Sequence, residues 1–276
     1  MSWRDSAYCS MVHLITGVRE GTALLKTISA AIALAIGVCA APVMAQDHAP
    51  PHLPGEYAQT YSDPLAPFNE RMFWFNLKLD HYVLHPVAQG YAVVLPVPVR
   101  ESVGRFFDNV NFIPRFANNL FQLKFPEAGG ELARFGINST LGVVGLFDVA
   151  DKWFGLKEHP NDFGLTLGYY GAPSGVYIVW PFLGPSTVRD TIGYAADGAM
   201  WPLPYFVPWY VYIPTSAGKT AIEMVNYRSL HLNLFEDVDR YAVDLYGAVQ
   251  DGYMQRRASD LRALKKGEQP PFPANH

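Results

Sequence analysis

Cysteine is almost missing from this chain. The two cysteines, Cys9 and Cys39, both stand near the N-terminus of 276 residues. If that stretch is a removable leader, the remainder has no disulfide, no thiolate metal site and no cysteine nucleophile. Charge is scarce as well. Only 17% of residues are Asp, Glu, Lys or Arg, against a usual ~25%. The balance is acidic, net −4 with His neutral, which excludes the electrostatic footprint of a nucleic-acid binder. Past the N-terminal region no run of ~20 apolar residues is free of Pro or charge, so no transmembrane helix is expected.

Catalytic motifs are missing too. There is no Walker loop, no G-x-G-x-x-G, and neither Ser174 nor Ser186 lies in G-x-S-x-G. His81 and His85 have a spacing that can hold zinc, but no Glu adjoins His81 and no third ligand is evident, so no metal site is expected. Asp148, Asp151, Asp162, Asp190 and Asp197 stand among glycines and prolines and read as helix caps and turn residues. Neither a catalytic residue nor a cofactor is expected.

Apolar residues, by contrast, are plentiful: half the chain is hydrophobic and 14% is aromatic. Without a spanning helix, this suits a protein lying in or against a membrane, or one with a large packed core.

Residues 1–45 read as a secretory leader. Arg19 and Lys26 form a basic front, Thr27 to Ala45 carries no charge, and Pro42 breaks the apolar stretch. Val43-Met44-Ala45 suits a cut before Gln46, and either Met1 or Met11 could be the start. Cys39 is a candidate for lipidation, but Ile36-Gly37-Val38 puts bulky Val38 where a small residue is expected.

Residues 46–62 form a Pro-rich tether. Ser62-Asp63-Pro64 signals a helix start, with the helix over about 65–85. On a helical wheel Met72, Phe75, Leu79, Tyr82 and Val83 form one apolar face, and Phe73, Leu77 and Leu84 a second. A narrow polar seam of Asn69, Asn76 and Asp80 separates them. Two stripes suit either something wet between apolar neighbours or seam residues hydrogen-bonded to the surrounding fold. Further helices are expected over about 98–109, after Pro114, from Pro126 to about Thr140, from about Ser216 to Leu230, and from near Asp237. Residues 163–185 read as loops with short strands. Four prolines between 199 and 214 exclude a regular spanning helix, while Trp201, Tyr205, Phe206, Trp209 and Tyr210 favour a membrane interface or a buried aromatic loop. Residues 258–276 read as a polar tail.

Four stretches resemble one known family. They are Asp63-Pro64-Leu65 with Phe68-Asn69, Met72-Phe73 and Phe75-Asn76; Arg134-Phe135 with Asn138, Leu141-Gly142 and Gly145-Leu146-Phe147-Asp148; Asp162-Phe163-Gly164 with Gly184-Pro185-Ser186 and Arg189-Asp190; and Tyr253-Met254-Gln255-Arg256-Arg257. Residues 63–257 thereby resemble the MlaA family, also called VacJ. The resemblance implies an all-α, ring-like arrangement of amphipathic helices around a central channel, with Gly-, Pro- and aromatic-rich loops. It implies a place at the periplasmic face of the outer membrane. The implied task is to remove misplaced phospholipid from the outer leaflet and pass it to a periplasmic carrier. The implied partners are phospholipid, porin trimers and that carrier. Asn69, Phe75, Asn76 and Asp80 are then expected along the lipid passage, and Trp201, Tyr205, Phe206, Trp209 and Tyr210 on a membrane-interface loop. Leu245 and Gln250 depart from the family pattern in the last helix.

Overall fold

The first helix, α1 (Ala66–Leu79), starts later than Ser62-Asp63-Pro64 suggests. Leu65 holds the cap position and Pro67 falls in the first turn, where a missing N–H costs nothing. Asp63 serves the helix differently, accepting from the Leu65 amide at 3.0 Å and from Asn69 Nδ2 at 2.9 Å. These coordinates are a computed structural model that describes residues 61–232 and 244–268. The leader, the tether up to residue 60, Cys39, residues 233–243 and the chain past 268 lie outside the described residues. All described residues belong to one unit, Tyr57–His276.

α1 runs directly into a π-helical segment, Asp80–Leu84, and then into α2 (His85–Val94). Pro86 explains the widened turn. Its ring would clash with the carbonyl four residues back and it has no amide to donate, so the His85 amide bonds instead to the Asp80 carbonyl, five residues back. Pro96 ends this helix, and α3 (Val97–Val110) leaves it at 116°. No single described helix is long and apolar enough to cross a membrane.

Next come α4 (Phe112–Phe121), α5 (Phe125–Thr140), α6 (Val149–Phe154) and α7 (Phe163–Tyr169). Strands β1 (Tyr177–Trp180) and β2 (Gly184–Thr187) form an antiparallel hairpin that pairs Tyr177 with Thr187 and Trp180 with Gly184. α8 (Val188–Met200) and the single turn α9 (Leu203–Phe206) lead to α10 (Trp209–Leu230) and α11 (Leu245–Lys266). Apart from the hairpin, the described residues bear out the all-α expectation.

Three readings are corrected. Within residues 163–185 the short strands are present as β1 and the start of β2, but Phe163–Tyr169 is helical, as α7, where loop was expected. α7 and α8 cross so closely that a Cβ on Gly193 would stand 2.3 Å from the Gly164 amide nitrogen. The glycines that read as loop punctuation permit this crossing. The segment 199–214 is helical from Trp209 onward, with Pro208 at the cap and Pro214 inside α10. The polar tail starts later than residue 258: α11 continues to Lys266 because Ala263 and Leu264 are buried and Lys124 Nζ donates to the Leu264 carbonyl at 2.7 Å. Gly267, in the left-handed region, ends the helix.

The apolar core is small. Phe73, Tyr177 and Val179 form its centre, with Met72, Leu77, Leu245, Tyr246, Val249, Tyr253 and Met254 packed on them. Phe73 and Leu77 of one apolar stripe face this core together with Met72 of the other, whose Phe75, with Tyr82 and Val83 of the π-helical segment, is exposed.

Candidate functional site

The polar seam of α1 grips the hairpin. Asn69 is fully buried; its Nδ2 donates to the Tyr177 carbonyl at 3.0 Å and its Oδ1 accepts from the Val179 amide at 2.8 Å. Two turns on, Asn76 Nδ2 donates to the Trp180 carbonyl at 2.9 Å, and its Oδ1 accepts from the Phe182 amide at 2.8 Å. The two amides act as a third strand along β1. Asp80 pairs with Arg228 of α10 at 2.9 Å. Of the residues expected along a lipid passage, Asn69 thus lies in packed interior, and Asn76 and Asp80 are engaged within the fold. Phe75 is exposed, edge-on to Phe182 at 5.4 Å. His81 contacts the Tyr82 ring and His85 opens α2.

A second polar centre joins family-like motifs far apart in sequence. Arg257 of α11 donates to both oxygens of Asp162, at 2.7 and 3.0 Å, and to both of Asp190, at 3.0 and 2.8 Å. Tyr253 Oη donates to Asp190 at 2.7 Å, and Arg189 Nε donates to the same carboxylate at 3.0 Å. Burial pushes the Asp190 carboxyl up, but hydrogen bonds and charge from Arg257, with Arg189 and Tyr253, outweigh it and hold the group below the usual carboxylate range. The Tyr253 phenol is pushed up by burial and by Asp190. Asp148 and Asp162 do cap α6 and α7 as the sequence suggests, but Asp190 is a buried ion-pair partner.

Asp197 lies beside this centre with no cation in hydrogen-bond contact. Its carboxylate accepts from the Phe163 amide at 3.2 and 3.1 Å and from Asn118 Nδ2 at 2.7 Å. Burial, then repulsion by Asp162, pushes it up to about 7. Asn118, Gln122, Asn161 and Thr166 extend the network through buried side-chain hydrogen bonds of 2.8 to 2.9 Å. Thr166 lies in the family-like stretch that begins at Asp162, whereas nothing local marks Asn161, and for Asn118 and Gln122 the signal is an amide side chain on an otherwise apolar helix face.

A third centre lines a cleft between α3, α4 and α5. Arg115 bridges Glu131 at 2.9 Å and Glu158 at 2.8 Å, while Arg134 holds Asp148 at 3.0 Å. Arg105, Asp108 and Asn109 reach the same cleft, and Phe112 and Phe135 stack beside it at 3.8 Å.

The outside has the opposite character. Among the described residues, ten hydrophobic side chains are buried against nineteen polar or charged ones, while thirty-four large hydrophobic residues are exposed. That inverts the usual partition for a water-soluble domain. Phe206 is 84% exposed and Trp209 73%, with Tyr205 and Tyr210 beside them. Trp201 differs: it is half-buried, with Lys219 Nζ 5.6 Å from its ring.

The arrangement defines a class: a helical protein with a polar, ion-paired interior and an apolar, aromatic exterior. This chain belongs to the MlaA lipoprotein family, whose model matches residues 61–260. It is 35% identical over 206 residues to the Escherichia coli K12 protein named intermembrane phospholipid transport system lipoprotein MlaA, covering 73% of this chain and 79% of that one. The Haemophilus influenzae protein of the same name is 31% identical over 198 residues, covering 70% of this chain and 77% of that protein. A solved structure concerned with the structural basis for maintenance of bacterial outer membrane lipid asymmetry superposes with a TM-score of 0.62 at 34% identity. It spans 71% of this chain and 98% of that one.

Proposed function

We propose that this protein lies in the outer membrane and moves phospholipid out of it, removing misplaced molecules from the outer leaflet and passing them to a periplasmic carrier. The inverted surface carries this reading. Exposing Val93, Phe206 and Trp209 to water would be unfavourable by about 25 cal/mol per Å² of apolar area, and lipid removes that cost. Buried ion pairs supply a rigid polar interior that needs no water. The relatives' names, which refer to intermembrane phospholipid transport, support the same reading.

The exposed aromatics from Tyr205 to Tyr210 sit at the membrane–water interface. Porin trimers and a periplasmic lipid carrier are the proposed partners. The task is transport, with no bond of the lipid broken.

A reconstitution tests this. Vesicles holding the protein and a fluorescent phospholipid are mixed with purified carrier. The reading requires lipid to appear on the carrier faster than from protein-free vesicles. Equal rates with and without the protein would count against it.

A further inference from the structure

We infer that α6 is a lipid-headgroup anchor, formed by Lys152, Trp153 and Phe154 and distinct from the aromatic segment after α8. The inference rests on the reading that the protein lies in a lipid layer.

The helix is only six residues long, yet it is fixed at both ends. Asp148 caps it, accepting from the Asp151 amide at 3.1 Å, and is itself held by Arg134 and Asn138 at 3.0 Å each. Asn138 Oδ1 also accepts from the buried Ala150 amide at 2.9 Å. At the other end Gly155, at φ 65°, reverses the chain, and its amide bonds to the Asp151 carbonyl at 2.9 Å. Val149 and Ala150 are buried on the inner side. On the outer side Trp153 is 72% exposed and Phe154 56%, with Lys152 exposed between them and the chain before. Lys157 stands next to them, 2.7 Å from Asp151.

The occupant follows from the chemistry. Bulk water disfavours the Trp153–Phe154 pair, and the hydrocarbon interior disfavours Lys152. Only the headgroup layer accommodates both, with the indole at the glycerol level and the ammonium toward phosphate. With Asp148 paired to Arg134, Glu158 to Arg115 and Asp151 to Lys157, Lys152 leaves this tip the charge opposite to an anionic lipid surface. Leu141, Val143, Val144 and Phe147 of the preceding turn are exposed as well.

Described residues hold no cysteine, so single reporters are available. In the full chain with Cys9 and Cys39 changed to Ser, W153C and W209C each receive an environment-sensitive dye in phosphatidylethanolamine–phosphatidylglycerol vesicles. The proposal expects the dye at 153 to be shielded from iodide and quenched more by headgroup nitroxides than by chain-end nitroxides. Adding Lys152→Glu should raise its iodide access severalfold while the melting temperature holds. A dye open to iodide at 153 but shielded at 209 would overturn the anchor and leave the membrane reading standing. Dyes open at both sites would remove both. Shielding at 153 that requires added porin trimers would mean a protein contact there and would overturn the lipid assignment.

Discussion

Asn69 holds Tyr177 across 108 residues of sequence, through a buried hydrogen bond of 3.0 Å to its backbone carbonyl. With the Val179 amide on its Oδ1, the side chain completes the edge of β1. Asn69→Ala leaves a buried carbonyl and a buried amide unpartnered, each costing about 1–3 kcal/mol. A loss of about 3 kcal/mol is expected in chemical unfolding. Asn76→Ala, in a half-buried setting, should cost about 1 kcal/mol. Similar losses at both sites would contradict the burial gradient along the seam.

Arg257 joins α11 to α7 and α8 through four hydrogen bonds to two carboxylates. Arg257→Lys keeps the charge but cannot fork to both. The expected cost is about 2 kcal/mol, since the ammonium can serve one carboxylate and leaves charge-assisted hydrogen bonds to the other unmade. Denaturant titration reads it, and a change under 1 kcal/mol would refute the central place given to this residue.

Two glycines on one helix give an internal control. Gly193→Ala drives a Cβ into the Gly164 backbone, which cannot yield without separating α7 from α8. A large drop in melting temperature is expected. Gly198→Ala, with nothing within 4 Å of the added carbon, should leave stability unchanged or raise it by up to ~1 kcal/mol through helix propensity.

The folded-state pKa of Asp197 is raised above the ordinary value of 3.8 to about 7. Its contribution to stability is therefore fully present below the ordinary value and is lost as pH rises through about 7. Asp190 behaves oppositely: its pKa is depressed, so its contribution is present above the ordinary carboxylate range and lost in acid. Asp197→Asn isolates the first effect. The difference in melting temperature between wild type and variant should shift in the variant's favour from pH 4 to pH 8. A constant difference would contradict the raised value.

The proposal that residues 1–45 are a leader makes its own prediction. The Val43-Met44-Ala45 site and bulky Val38 favour a mature chain that begins at Gln46. Intact mass of the protein from purified outer membrane should match that chain without acyl groups. A mass beginning at acylated Cys39 would contradict it.

Much of the fold was legible where proline marks a helix start: Pro98 and Pro126 place α3 and α5 within a residue or two. α7 and α8 were not, because Gly164, Gly168 and Gly193 carry the same local signature whether they serve turns or helix crossings. The seam of Asn69, Asn76 and Asp80 was visible on the wheel, but a wheel cannot tell a wet passage from a strand edge brought in from residues 177–182. The Arg257 centre was legible only as separate motifs. Nothing local to Asp162, Asp190 or Arg257 says that they meet. The exposed aromatics after α8 stood out from the start, since density of Trp, Tyr and Pro is itself the signal.

Withdrawal of phospholipid from the outer leaflet by an inside-out body in the outer membrane is the proposed activity. It is tested most directly by labelling surface phosphatidylethanolamine with a membrane-impermeant amine reagent in cells lacking the gene. The account predicts more labelled lipid than in wild type, and restoration by the intact gene. Unchanged surface labelling on deletion would contradict it.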